Sequence, residues 1–224
     1  LLIIFDLDDT LIDTSGSILP FKLEKALEVM SAKGLSLSDF NKGLKVLKEI
    51  DSRCESTKDA LKEFLEIHDA EPHLLEIGLH EVYRKGEFFH EVIPTKNAVE
   101  TLVELSKKYT LCLVSIGVKE IQLEKMKKAG IDTSLFSRIE ICEEHHKKTS
   151  YQNLLNDLNI QSTEVFVCGD RIQRDLLPGK SLGFKTIHMR WGRGLHQKTD
   201  MEEVDFSIDS LDQIKPILMQ FDNH

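Results

Sequence analysis

The 224 residues carry 38 acidic against 29 basic side chains, for a net charge of -9, and are 41% hydrophobic and 30% charged. That length suits one large domain or an ordinary core with a smaller insertion, and the composition is that of a soluble globular chain. The acidic balance argues against a nucleic-acid partner, which is bound through clustered Lys and Arg, and no apolar stretch is long enough for a membrane span.

The apolar run Leu1-Leu2-Ile3-Ile4-Phe5 reads as a buried strand of a parallel sheet, and it runs straight into Asp6-Leu7-Asp8-Asp9-Thr10. In open α/β sheets the ligand lies just beyond the carboxyl ends of such strands. Clustered carboxylates repel, so they either hold a proton among them or bind a cation, and both are expected here. A calcium loop with Asp6, Asp8 and Thr10 in its first, third and fifth positions is excluded. That loop needs Gly and Glu where this chain has Leu11 and Ser17.

After Asp13 the pattern turns helical for about eighty residues. Leu23, Ala26, Leu27 and Met30 follow helical spacing, as do Leu37, Phe40, Leu44 and Leu47, then Leu61, Phe64, Leu65 and His68, then Leu74, Leu75, Ile77 and Val82. The spacing predicts a helical bundle over 15–92, inserted into a core made of 1–14 and 93–224.

From Pro94 a β-α rhythm sets in. A helix carries Leu102 and Leu105, a strand runs from Leu111 to Ser115, and a charged helix carries Ile121 and Met126. A strand over Arg138 to Cys142 precedes a helix through Tyr151, Leu154, Leu155 and Leu158, and further strands follow at 164–168 and 184–188. This alternation predicts an α/β fold, a Rossmann-like and mostly parallel sheet with helices on both faces. The cysteines Cys54, Cys112, Cys142 and Cys168 have no paired spacing, and three of them fall in strands, so reduced thiols are expected. The first apolar stretch has no charged leader and quickly becomes acidic, which points to a cytoplasmic enzyme.

Three further places pair a strand end with polar chemistry. Ser115 closes a buried strand before Ile116-Gly117, so its hydroxyl and the following amides are candidates to cradle an oxyanion, a helix N-cap being the plainer alternative. Lys147 and Lys148 open a helix, where the dipole disfavours a cation unless an anion is near. The adjacent His145 and His146 point apart and read as surface residues. Gly169-Asp170-Arg171-Ile172-Gln173-Arg174-Asp175 brings a second acidic pair to a second strand end, and two such acidic loops make a magnesium site. Arg171 and Arg174 read as partners that balance that turn.

Together these segments resemble the haloacid dehalogenase-like hydrolases, in the phosphatase branch with a helical cap. Asp6-Leu7-Asp8-Asp9-Thr10 matches the first motif of that family, Ser115 the second, a lysine at 147 or 148 the third, with Lys148 preferred by its position, and Gly169 to Asp175 the fourth. The resemblance implies a magnesium-dependent phosphohydrolase acting on a small phosphorylated metabolite. In that scheme Asp6 is the nucleophile that becomes an aspartyl-phosphate, and Asp8 is the general acid and base, with a raised pKa suited to that work. Magnesium is held by Asp6, the Asp8 carbonyl and Asp170, supported by Asp175. Ser115, Ile116 and the motif lysine hold phosphate oxygens, and Thr10 fixes the loop. The helical segment 15–92 becomes a cap that closes over the site, with Arg53, His68, His73 and Arg84 as its polar candidates. A phosphomutase of the same fold, or a phosphate-binding module without turnover, stands as the alternative.

Overall fold

The computed structural model describes residues 1–83, 91–142, 147–197 and 204–222. The chain forms two compact units, Leu1–Thr14 with Val92–His224, and Ser15–Glu91.

The chain leaves its first segment through a single turn, α1 (Thr14–Ser17), and enters four helices: α2 (Leu19–Ala32), α3 (Phe40–Arg53), α4 (Thr57–Ile67) and α5 (His73–Tyr83). Their apolar stripes meet in one core of Leu23, Leu27, Met30, Leu47, Leu61, Phe64 and Leu74. Gly78 of α5 permits a close approach there, since a Cβ at that position would fall 2.8 Å from Met30 Sδ. The periodicity placed Leu37 inside a helix, but α3 begins only at Phe40. Asp39 stops it, its extended backbone and carboxylate capping the helix by accepting from the Lys42 amide at 3.0 Å. Ser56 caps α4 in the same way, accepting from the Asp59 amide at 3.1 Å.

In the other unit a six-stranded sheet has the order β3-β2-β1-β4-β5-β6, every pair parallel: β1 (Leu2–Phe5), β2 (Thr110–Ile116), β3 (Arg138–Cys142), β4 (Val165–Gly169), β5 (Lys185–Met189) and β6 (Phe206–Ile208). The helices of this unit are α6 (Ala98–Leu105), α7 (Lys119–Lys128), α8 (Lys147–Leu158), the short α9 (Leu177–Lys180) and α10 (Ile214–Met219). Leu2, Ile3, Ile4 and Phe5 are all fully buried, which is why β1 can be apolar on both faces. β6 carries no sequence signal, being three residues long and broken by Ser207. It is anchored by Asp205, whose carboxylate accepts from both the amide and the hydroxyl of Thr186 on β5 at 2.8 Å.

This topology positions the chemistry. From β1 the chain steps outward to β2 and β3, then returns to build β4, β5 and β6 on the opposite side, so the reversal falls at β1. Phe5 is in register with Leu113 of β2 and Cys168 of β4. Asp6, Ser115 and Asp170 therefore emerge along one edge of the sheet, at the switch point where open α/β sheets bind ligands. The four cysteines are free thiols, and among the described residues no helix is long and apolar enough to cross a membrane.

Candidate active site

Asp6 follows directly on β1, its amide donating to the Cys168 carbonyl of β4 at 2.9 Å. The chain then turns tightly: the amides of Leu11 and Ile12 both donate to the Leu7 carbonyl, and Asp9 adopts a left-handed φ of 56°, which aspartate tolerates better than most residues. Thr10 lies wholly inside this loop. Its hydroxyl is buried with no hydrogen-bond partner, while its carbonyl accepts from Thr95 Oγ1 at 2.7 Å.

The Gly169–Asp175 segment forms a second tight turn on β4. The Asp175 amide donates to the Arg171 carbonyl at 2.8 Å, and the Asp175 carboxylate accepts from the Arg171 amide at 2.9 Å. Position 169 must be glycine, because a Cβ there would lie 2.5 Å from that of Asp175. Asp6, Asp170 and Asp175 each offer a carboxylate oxygen, and the three lie within 4.8 Å of one another.

Lys147, the first residue of α8, joins this cluster, with Nζ 2.5 Å from Asp6 Oδ1 and 2.6 Å from Asp175 Oδ1. The sequence preference for Lys148 is corrected. Adjacent residues at a helix start point about 100° apart, so only one can face the carboxylates, and Lys148 faces outward as an exposed side chain. A cation at this helix N-terminus thus has its anions, and Lys147 is 3% exposed. Burial alone would lower its pKa, but the charges of Asp175 and Asp6 hold it well above the ordinary lysine value.

The raised pKa expected at Asp8 falls instead on Asp6 and Asp170. Burial pushes Asp6 up to about 7, Lys147 opposing and the charges of Asp175 and Asp8 adding to it. Burial and the charges of Asp9, Asp175 and Asp6 raise Asp170 well above the carboxylate range. Asp8, expected to be the raised one, is lowered: burial would raise it, but the charge and hydrogen bond of Lys125 and the bonds from Thr14 and Gln122 outweigh that. Lys125 Nζ is 2.6 Å from Asp8 Oδ1, Gln122 Nε2 is 2.8 Å from Asp8 Oδ2, and the Thr14 hydroxyl also donates to Oδ1. These three residues carried no motif signal. A Gln and a Lys three apart in the helix after Ser115 were the only trace.

Ser115 is 1% exposed and accepts from Gln122 Nε2 at 2.8 Å. It does not cap α7, whose N-cap residue is Val118. The Ile116 carbonyl also accepts from Gln122, at 3.0 Å, and the Gly117 amide is already used by the Cys142 carbonyl at 3.1 Å. One of the amides expected to cradle an anion is therefore committed to the sheet edge. Of the polar residues in the helical unit, Arg53 pairs with Glu63, His68 packs its ring 4.5 Å from that of Phe64, and His73 is exposed. Arg84, His145 and His146 lie outside the described residues.

A glycine-bearing turn braces both acidic loops. A Cβ at Gly192 would fall 2.4 Å from Asp9 Cγ, and one at Gly194 would fall 2.6 Å from the Met189 carbonyl oxygen and 3.0 Å from that of Asp170. Between β5 and that turn, Trp191 Nε1 donates to Asp13 Oδ1 at 2.8 Å.

The donor set suits a hard divalent cation. It consists of three carboxylate oxygens, from Asp6, Asp170 and Asp175, gathered within 4.8 Å of one another.

Residues 3–189 match the haloacid dehalogenase-like hydrolase family. The chain belongs to that family. Over 225 residues it is 26% identical to a glyceraldehyde 3-phosphate phosphatase of Pyrococcus furiosus, covering 96% of this chain and 92% of that one. Among solved structures, a putative beta-phosphoglucomutase from Thermotoga maritima superposes with a TM-score of 0.65 at 17% identity, over 98% of each chain. A HAD phosphatase from Thermococcus onnurineus gives 0.63 at 21%, over 97% of each. At those identities the structural likeness concerns the fold, and this haloacid dehalogenase-like hydrolase shares its parallel sheet and surrounding helices with both.

Proposed function

We propose that this chain is a magnesium-dependent phosphatase of small phosphate monoesters, working through a phosphoryl group carried on Asp6. The observation that carries the reading is the division of the carboxylates into two sets. Asp6 lies with Asp170, Asp175 and Lys147, while Asp8 is held apart by Lys125, Gln122 and Thr14. A nucleophile and an acid–base group need different environments, and these two have them.

Asp6, the Asp8 carbonyl and Asp170 would hold magnesium, with Asp175 in support. When bound, the ion would neutralise the phosphate and the nucleophile and so favour an ionised Asp6. The Asp6 carboxylate attacks phosphorus, a bond forms between its oxygen and phosphorus, and the ester P–O bond breaks. The departing oxygen takes a proton from Asp8. Asp8 then accepts a proton from the water that attacks the phosphoryl group on Asp6, releasing inorganic phosphate and restoring both carboxyls. Lys125 holds Asp8 ionised when no anion is near. A phosphate arriving beside it adds negative charge that opposes this hold and raises the carboxyl toward its acid form. Lys147 fixes Asp6, and the Ser115 hydroxyl is available for a phosphate oxygen, with the Ile116 amide beside it. Thr10, buried within the loop, keeps the two aspartates in place.

The helical unit is the part of this reading that would tell one ester from another, and the composition fits a cytoplasmic setting. The activity named for the Pyrococcus relative makes glyceraldehyde 3-phosphate the first substrate to assay. The test is phosphate release from that compound, from p-nitrophenyl phosphate and from a panel of sugar phosphates, with magnesium or with EDTA. Release that needs magnesium and disappears in Asp6→Asn is expected. Equal release in EDTA, or undiminished release by the variant, overturns the reading.

A further inference from the structure

Gln122 and Lys125 lie three residues apart on α7, and both point at the groups that the proposed reaction uses. Gln122 is 3% exposed, and its single amide nitrogen reaches Asp8 Oδ2 at 2.8 Å, Ser115 Oγ at 2.8 Å and the Ile116 carbonyl at 3.0 Å. Lys125, its side chain 11% exposed, reaches Asp8 Oδ1 at 2.6 Å. An amide nitrogen can only donate, its two protons being shared among these three acceptors, so Ser115 Oγ is an acceptor in that contact and keeps its own proton for another acceptor. Between them the two side chains occupy both oxygens of Asp8, while Gln122 also grips the strand end that carries Ser115.

We infer that Gln122 and Lys125 are positioning residues, which fix the Asp8 carboxyl at the leaving oxygen and turn the Ser115 hydroxyl outward as a donor to phosphate. The inference rests on the phosphatase reading and extends it to a helix that carries no catalytic motif. When the phosphoryl group passes to Asp6, the ester oxygen keeps the electron pair of the broken bond and takes the Asp8 proton. A carboxyl held at the right point lowers the barrier most when that oxygen is a poor leaving group, because a good one departs without needing the proton. Positioning of Asp8 should therefore matter for an alkyl phosphate and hardly at all for an aryl phosphate with a stable phenolate.

The experiment compares kcat/KM for glycerol phosphate and for p-nitrophenyl phosphate, both saturated with magnesium, in the wild type and in Gln122→Met, Lys125→Met and Lys125→Arg. General acid catalysis contributes about 10²- to 10⁴-fold, so each Met variant is expected to lose at least about tenfold more on the alkyl than on the aryl ester. Lys125→Arg should recover most of that difference. The ratio of the two values within one variant does not depend on what fraction of it is folded, so a destabilised variant still answers. Equal losses on both esters, or a rise confined to KM, would mean that the residues only bind phosphate or only hold the fold, and would overturn the inference while leaving the phosphatase reading intact. A wild type inactive on both esters and on glyceraldehyde 3-phosphate would overturn the two together.

Discussion

Nζ of Lys147 lies 2.5 Å from Asp6 Oδ1, and both residues are buried. Removing one partner of such a buried pair leaves charge unpaired, at about 3–5 kcal/mol. Lys147→Met is therefore expected to lower the denaturation midpoint steeply and abolish phosphate release. The exposed Lys148→Met should stay within about 0.5 kcal/mol of wild type. Urea denaturation and activity of the two variants side by side give the answer, and the reverse ranking would return the motif role to Lys148.

Asp6 predicts a pH dependence for the metal-free protein. Its pKa rises from 3.8 to about 7 on folding, so between these values the folded state binds more protons than the unfolded one. The associated stabilisation is complete below 3.8, declines as pH rises, and is lost above about 7. In EDTA the melting temperature should fall between pH 5 and pH 8, and Asp6→Asn should flatten that fall. Magnesium, binding only the folded state, should restore the loss at pH 8 in the wild type.

A third expectation concerns the brace around the acidic loops. A methyl group at Gly194 would meet two backbone carbonyl oxygens, of Met189 and Asp170, which cannot swing aside as a side chain can. Gly194→Ala should cost about 1–3 kcal/mol and weaken magnesium binding by displacing Asp170. Calorimetry with magnesium reads both effects, and unchanged affinity would separate this turn from the proposed metal site.

Asp205 offers a prediction away from the chemistry. Burial would raise its pKa, but the Thr186 amide and hydroxyl and Lys180 together hold it below 3.8. A lowered folded pKa stabilises above the unfolded value and is lost as pH falls through the folded one. Asp205→Ala should cost about 1 kcal/mol near neutrality, a modest figure because the side chain is 36% exposed and solvent screens it. The gap to wild type in urea should close below about pH 4.

The sheet was legible because a parallel strand buried on both faces must be continuously apolar, as Leu2–Phe5, Leu111–Val114 and Val165–Cys168 are. Aspartates at two of those strand ends and Ser115 at the third then marked the site edge. What stayed hidden depends on direction. The choice between Lys147 and Lys148 is a matter of which way a helix start faces, and one residue of phase decides it. Asp8 looked like one carboxylate among several. Apart from Thr14, six residues on, its neighbours Lys125 and Gln122 come from more than a hundred residues along the chain, so local sequence carries little sign of the contacts that lower its pKa. β6 was missed for the same reason, its register being set by Asp205 on Thr186 rather than by its own three residues.

The central place of β1 also bears on how the chain comes to be folded. Leu2 finds its partners at Thr110 and Val165, so the most apolar strand of the sheet is made early and can pair only late. The helices of Ser15–Glu91, by contrast, close a core from neighbouring segments. Local contacts form faster than distant ones, and an unpaired apolar strand is prone to associate with other chains. During synthesis the helical unit can therefore be complete while Leu2-Ile3-Ile4-Phe5 still waits for β2 and β4. Through that interval the strand offers other chains the apolar surface that β2 and β4 later cover.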